Sequence, residues 1–315
     1  MFNRTILNDF QYIEEDTFEL NQLGKNFYES LDYKLKSTQF GTYNSYPSID
    51  IVTKHKTNGS NLFIRIILKD AQYFLLACKT NEPNPPVNYF SSLKFKEYVY
   101  TPFELYQDTL MHFSVKTDYK QEKLSSIEKL VSEFSYYGKK IKNAPSYLNI
   151  SEDKLFESPA TSENVKVEYY KSNDYEMNKS MDDIWTKQLK LNMSYTSLKV
   201  SKKVIYERNK IPTMDYILTD TNTIRSIRVR MMYKPGALYV LSTMADTLSQ
   251  PSSWVTSFFD TFQPNDTMLA KSTLIDKMPD FFVDLTSSDS TTKEKVRVLY
   301  NSLKFQDKDA APLME

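Results

Sequence analysis

The amino-acid sequence predicts an α+β protein: two tandem antiparallel-sheet/helix sandwich units related by an internal repeat, then a short C-terminal helical region. Three observations predict it. Two stretches align with one another position by position, both alternate polar and apolar residues at a period of two up to a tight turn, and both close on aromatic residues suited to a short helix.

The alignment begins where Asp16, Phe18, Tyr28, Ser30 and Leu31 stand against Asp183, Trp185, Tyr195, Ser197 and Leu198 at one constant offset. After a two-residue shift, Pro47-Ser48-Ile49-Asp50 stands against Pro212-Thr213-Met214-Asp215, and the match runs on through Arg65, Lys69, Phe74 and Leu76 opposite Arg230, Lys234, Tyr239 and Leu241. Four more residues of loop in the second copy bring Tyr89-Phe90-Ser91-Ser92-Leu93 opposite Phe258-Phe259-Asp260-Thr261-Phe262.

Each unit opens on a helix near Asp16 or Asp183. In the second, Ile227, Val229, Met231 and Tyr233 alternate with Arg228, Arg230, Met232 and Lys234, which gives a strand one buried and one solvated face. Pro235-Gly236 then presets a tight turn, because proline fixes the first central φ and glycine accepts a positive second one. Ala237 to Thr243 is the return strand. The first unit repeats the hairpin as Phe63 to Lys69, a turn at Asp70-Ala71, and Gln72 to Cys78. Trp254, Phe258 and Phe262 recur four apart on a closing helix that Pro264 stops.

Ahead of Asp183 the second unit has candidate opening strands at Leu110 to Thr117 and Val165 to Tyr170, and Asn173-Asp174-Tyr175 echoes Asn8-Asp9-Phe10. The first unit has little chain before its matching point. It is expected to lack the opening strands, either as a piece cut from a longer polypeptide or as a shorter variant that never had them. Ser125 to Lys140 carries apolar residues at helical spacing, with Ser125 as cap and Gly138 as stop, and Asn143 to Glu163 reads as loop or linker. Near the end, Leu274, Met278, Phe281 and Phe282 predict one short helix. Asp289-Ser290-Thr291-Thr292 caps a second through Val296, Val298, Leu299 and Leu303. With nothing evident to pack on, this pair reads as the start of a helical array or as a plain helical tail. The organisation is thus residues 1–98 as the first unit, 99–265 as the second with a helical and loop insertion at about 120–163, and 266–315 as the start of a helical region.

Composition excludes several function classes. Forty basic and forty acidic residues cancel, without the Lys/Arg stripe that a nucleic-acid surface needs. The densest basic spots, Lys34, Lys36 and Lys199, Lys202, Lys203, read as solvated strand edges, which lysine protects from aggregation. No apolar run approaches the length of a membrane span, and the first twenty residues do not form a signal peptide. Twenty-three tyrosines and nineteen phenylalanines suit strands and equally suit a glycan- or protein-binding face.

The search for catalytic chemistry returns little. Cys78 is the one cysteine, and its position at the end of a hairpin strand reads as a small buried hydrophobe, with His55 the nearest candidate base. With only His55 and His112 available and five glycines in all, no His-rich metal site, nucleophile-histidine pair or phosphate-cradling loop is expected, and no cofactor. Glu14-Glu15-Asp16 and Asp182-Asp183 precede helix-opening aromatics, where carboxylates favour the positive end of the helix dipole. Asp50 and Asp215 follow Pro-Ser/Thr at strand starts, a setting for bonds to nearby backbone amides.

Arg228-Val229-Arg230, Ala237-Leu238-Tyr239-Val240-Leu241 and Phe258-Phe259-Asp260-Thr261-Phe262 together resemble the hairpin-and-helix pattern of PsbP/Mog1-like α/β/α sandwiches. These small domains generally serve binding or assembly. The low glycine content, the Asn/Lys/Tyr-rich composition and the passage from Phe262 to Lys277 also resemble C-terminal regions of very large Bacteroidetes envelope proteins, some with a TraB/GumN domain elsewhere. Asp108-Thr109-Leu110, Asp246-Thr247-Leu248 and Asp266-Thr267-Met268 resemble the sites at which such organisms attach O-glycans to exported proteins. The resemblance implies a periplasmic or envelope location and carries over no functional residue. The resulting expectation is a non-catalytic ligand- or protein-binding scaffold with an unknown protein or glycan partner, no nucleic acid and no membrane insertion. Two alternatives stand beside it: an enzyme with a carboxylate site between the units, using Asp182, Asp183 or Asp215, and a purely structural spacer.

Overall fold

A computed structural model describes residues 1–6, 13–119, 145–194, 198–266, 269–303 and 305–309. The helix expected within Ser125 to Lys140 and the Asn8-Asp9-Phe10 echo lie outside the described residues. In chain order the elements are β1 (Phe2–Ile6), α1 (Asp16–Glu29), β2 (Tyr33–Tyr43), β3 (Tyr46–His55), β4 (Asn61–Lys69), β5 (Gln72–Thr80) and α2 (Val87–Phe90). There follow β6 (Glu104–Asp108), β7 (Phe113–Thr117), β8 (Ile150–Glu157), β9 (Asn164–Lys171), α3 (Met181–Met193), β10 (Lys199–Arg208), β11 (Ile211–Thr219), β12 (Arg225–Lys234), β13 (Ala237–Asp246), α4 (Ser253–Thr261), β14 (Gln263–Pro264), α5 (Met278–Leu285) and α6 (Ser290–Leu299).

The repeat is visible in the topology. One sheet runs β1-β5-β4-β3-β2 and the other β10-β11-β12-β13-β9-β8, so β1 to β5 have counterparts in β9 to β13. All pairings are antiparallel. The protein is α+β, with tandem sheet-and-helix units and C-terminal helices. The first unit does have an opening strand, contrary to expectation: β1 pairs with β5 as β9 pairs with β13. Its five residues, FNRTI, are too few for a periodic pattern to declare itself. Likewise the stretch expected as loop from Asn143 to Glu163 contains β8, an edge strand whose mostly exposed, charged residues leave only Phe156 buried.

Each sheet buries both faces. In the second unit Ile184 and Trp185 of α3 cover one face, over Met214, Val229, Met231 and Val240. Trp254, Phe258 and Phe259 of α4 cover the other, together with Phe113 and Val115 from a small sheet ordered β14-β7-β6. In the first unit α1 lies over Ile49, Ile51, Ile64 and Ile66, and Phe90 lies over Phe63, Ile67 and Leu76. The closing helix of this unit is a single turn, because Phe90 alone is buried where α4 presents a stripe. Pro235-Gly236 turns as expected, with Gly236 at φ +76 and Ala270 so close that no Cβ fits. The expected lysine-protected edges are β2 and β10, which carry bulges at Lys36 and at Lys202-Lys203.

Asp50 and Asp215 have an arginine partner rather than backbone amides. Each sits directly across a strand pair from an arginine of its own unit, Asp50 from Arg65 and Asp215 from Arg230. Both pairs are bidentate, at 2.6 and 2.7 Å in the first unit and 2.8 Å in the second. The remaining guanidinium nitrogen donates to the closing helix, to the carbonyl of Phe90 or of Phe259, and each guanidinium stacks over the same phenylalanine's ring. The repeat therefore preserves a three-way clamp between two strands and a helix.

The C-terminal helix pair is docked, against the expectation that it packs on nothing. Met278 and Phe281 of α5 and Val296 and Leu299 of α6 enclose Tyr175 of the segment before α3, and Tyr175 donates to Asp284 at 2.7 Å. Asp289 caps α6 through the Thr292 amide at 2.8 Å, as its sequence predicts.

A buried arginine anchors the contact between the units. Arg225, 2% exposed at the start of β12, donates to Glu19 of α1 and, at 3.0 Å, to the Glu14 carbonyl. Asp16 of α1 reaches back, accepting from the Thr223 hydroxyl at 2.7 Å and the Ile224 amide at 2.9 Å. Glu19 also accepts from Tyr73 of β5, whose phenol is pushed far up by burial and then by that carboxylate. Removing one member of such a network strands the others in a dry interface. Arg225→Ala is expected to cost about 3–5 kcal/mol in urea denaturation. The clamps differ in burial, Arg230 being 4% exposed and Arg65 23%. Asp215→Asn is accordingly expected to cost about 2–4 kcal/mol and Asp50→Asn under about 1 kcal/mol, by the same assay.

Candidate functional site

The hairpin turn between β4 and β5 points the first unit's Lys69, Asp70, Ala71 and Gln72 at the second unit. Opposite stand the end of β13, the loop from Ser249 to Ser253 that starts α4, and Glu163-Asn164 at the start of β9. The extended linker brings Phe95, Tyr98 and Tyr100 across one side. Together these enclose a cleft of about 410 Å³, within the range of small-molecule sites.

Asp70 lies in a left-handed turn position at φ 54, and its amide donates to Asp246 Oδ2 at 3.2 Å. Burial, then the hydrogen bond with Asp246, pushes the Asp70 carboxyl up to about 6 against the opposing pull of Lys69. Asp246 moves the other way. Burial works to raise it, but Asp70, the Ser249 hydroxyl and the amides of Ser249 and Leu248 together hold it below its ordinary value. The last two bonds, at 2.6 and 2.9 Å, close an Asx turn. Asp108 makes the same turn with the amides of Leu110 and Met111, so two of the three Asp-Thr-aliphatic triplets share a buried aspartate and an exposed threonine for a folding reason.

Most polar groups of the cleft satisfy one another. Lys69 Nζ binds Asp70 and stands over the rings of Tyr46, Phe95 and Tyr98 at 5.1, 5.6 and 5.9 Å. Glu163 accepts from the hydroxyls of Tyr100 at 2.6 Å and Thr161 at 2.7 Å. Two acceptors are left over. Gln72 Oε1 and Asn164 Oδ1, on residues 1% and 8% exposed, have no hydrogen-bond partner.

The carboxylates singled out in the sequence do not converge on this cleft. Asp182 is exposed on the first turn of α3. Ser180 caps that helix by accepting from the Asp183 amide, and the Asp183 carboxylate accepts from the Lys179 amide and pairs with Lys187. Asp215 is held in its clamp, and Asp16 in the inter-unit lock. Cys78 is half-buried against the cluster around Phe63 and Phe90, and the His55 ring accepts from the Thr57 amide at 3.2 Å. Among the described residues no cluster of histidine, cysteine, aspartate and glutamate could hold a metal ion, and no helix is long and apolar enough to cross a membrane. Asp70 and Asp246 were legible only as a turn residue and as part of a triplet. Their meeting across the two units has no signature along the chain.

No protein-family model and no curated protein matches the chain. Among solved structures it is similar to cyanobacterial PsbP (CyanoP) from Synechocystis sp. PCC 6803, at 11% identity over 55% of this chain and 99% of that one, with a TM-score of 0.30. It is also similar to the T6SS immunity protein TplEi from Pseudomonas aeruginosa, complexed with "L" peptide, at 10% identity over 85% of this chain and 92% of that one, with a TM-score of 0.24.

The Asp70 geometry makes stability depend on pH. Its folded pKa of about 6 lies above the ordinary value of 3.8, so the folded state favours the protonated acid. The associated stability is full below about pH 4 and is lost as pH rises through about 6. Asp70→Asn, which stays uncharged, is expected to be more stable than the parent by about 1–3 kcal/mol at pH 7.5 and equal to it near pH 4, in denaturant titrations at both pH values.

Proposed function

We propose that the chain is a non-catalytic binding and scaffolding module of a bacterial envelope protein, acting in the periplasm, and that its ligand sits in the cleft between the two units. The observation that carries this is the cleft itself, about 410 Å³ in volume and lined by residues of both units with Phe95, Tyr98 and Tyr100 along one side. The rigid Arg225 lock supports the same reading, since a preformed cleft spends little binding energy on ordering its walls. The resemblance of the second unit's hairpin and closing helix to PsbP/Mog1-like binding modules, and of its C-terminal passage to envelope proteins, supports the setting.

One observation favours an enzyme instead. Asp70 and Asp246 are neighbouring carboxylates pushed in opposite directions within the cleft, Asp70 up and Asp246 down, the pattern of an acid/base pair. Their lone pairs are largely committed, however: three donors from Ser249 and Leu248 hold Asp246 Oδ1, and Lys69 holds Asp70.

Thermal-shift screening of the chain against glycans, lipids and peptides tests the proposal, with Gln250→Trp as the blocked control. Gln250 is an exposed lining residue, so a tryptophan there fills the cleft without disturbing the core. A cleft ligand is expected to stabilise the parent by about 2.7 kcal/mol at a hundredfold excess over Kd and to leave Gln250→Trp unshifted. Equal shifts in both proteins would move the site elsewhere, and no shift with any class would favour the spacer.

A further inference from the structure

We infer that the second unit carries a separate site for a phosphate monoester, bound by Arg228 and Lys202. A cavity of about 430 Å³ opens between residues of β10 to β13 and the turn from Asp246 to Pro251. The charged residues lining it are Lys202, Asp215, Arg228 and Asp246. Both carboxylates are already engaged. Asp215 accepts from Arg230 at 2.8 Å and from the Tyr206 hydroxyl at 3.1 Å, while Asp246 accepts from the Leu248 and Ser249 amides, the Ser249 hydroxyl and the Asp70 amide. The cations are not: among the described residues neither Lys202 nor Arg228 makes an ion pair or a side-chain hydrogen bond. Both remain accessible, Lys202 exposed and Arg228 half-buried.

The internal repeat shows that the fold does not require these charges. Phe63 stands where Arg228 does, each two residues before the clamp arginine of its unit. The register is the same, Phe63 lying between Val52 and Cys78 and Arg228 between Ile217 and Thr243. Phe63 is 3% exposed and packs with Phe90. Arg228 instead sets its guanidinium 5.2 Å from the ring centroid of Phe259, which orients its donors without neutralising them. The bulge lysines diverge in the same way. Lys36 of β2 donates to Asn61 at 3.1 Å, but the residue at the Asn61 position of the second unit is Ser226, whose hydroxyl donates to the Ala245 carbonyl at 3.3 Å. Lys202, at the bulge of β10, is left without that acceptor.

An ammonium and a guanidinium are donors only, so together they select an acceptor-rich anion. A phosphate monoester carries about two negative charges at pH 7, which matches two cations, and its oxygens suit the guanidinium fork. A carboxylate brings one charge. Thr219 and Thr247 add hydroxyls to the lining, and the volume leaves room for the organic group that the phosphate bears. The cavity shares Asp246 and Ser249 to Pro251 with the wall of the cleft between the units, yet its two cations belong to it alone, so the site stands whether or not that cleft is occupied.

The test is titration calorimetry on the whole chain at pH 7.5 and low salt, with glycerol 3-phosphate as the probe and glycerol and acetate as neutral and monoanionic controls. Vesicles containing phosphatidic acid, against phosphatidylcholine alone, distinguish a lipid headgroup from a free phosphate. Glycerol 3-phosphate or phosphatidic acid is expected to bind saturably, and to weaken about tenfold in Arg228→Met and in Lys202→Met. The urea midpoint of Arg228→Met is expected to equal or exceed the parent's, because the first unit holds an apolar residue at that position. Lys202 is exposed, so its variant tests the contact even if the other fails to fold. Lys203→Met, at an exposed lysine outside the lining, and Lys96→Met, in the cleft between the units, are expected to bind as the parent does. Equal weakening in Lys203→Met would reduce the effect to diffuse charge, and equal weakening in Lys96→Met would place the anion in the cleft; either overturns the inference. So would full binding in both Arg228→Met and Lys202→Met, acetate or glycerol binding as tightly as the phosphate, or silence of both phosphate probes at millimolar concentration.

Discussion

The architecture depends on burying one guanidinium. Arg225 is closed off from water, and a charge in that position persists only with carboxylate and carbonyl partners at hand. All of those partners, Asp16, Glu19 and the Glu14 carbonyl, belong to the first unit. Arg225 also stands directly across the β12/β13 pair from Asp246, so the lock and the cleft occupy one register position of one sheet. Fixing the end of that sheet against α1 brings the β4–β5 turn to Asp246 and gives the cleft its two walls. The inter-unit bonds are thus a condition for the site as well as for the fold.

Within each unit the corresponding constraint is the Asp-Arg-carbonyl clamp. It ties adjacent strands to the helix that covers them, and it recurs where most surface side chains have diverged. Its three bonds fix the height and angle of the closing helix over the sheet. The two copies have drifted in how much they enclose it. Over α4, with four buried side chains, the Arg230 clamp is sealed, whereas over the single turn of α2 the Arg65 clamp stays partly wet. The same geometry therefore carries different energetic weight in the two units.

Much of the fold was legible in the sequence, because local and periodic forces dictate it. The alternation along β12, the Pro235-Gly236 turn, the Asp289 cap and the lysine bulges of the edge strands each follow from interactions within a few residues or from a period of two. What escaped was short or defined only by distant partners. β1 has five residues and exists because β5 offers an open edge, and β8 buries little beyond Phe156. Asp50 and Asp215 were read as bonding to backbone amides, although the register that sets each beside an arginine was already implied by the repeat.

By itself the sequence determined the repeat, the α+β class, the hairpins and the faces they bury, since period and turn chemistry act along the chain. Tertiary structure alone decided where the units meet, which carboxylates face one another and which acceptors are left without a donor. Asp70 and Asp246, or Gln72 and Asn164, are far apart in sequence and belong to different elements. The position of each relative to the other is set by the Arg225 lock and not by any local preference. The cleft is defined by the segments of both units that line it, and that juxtaposition emerges only once the units have packed.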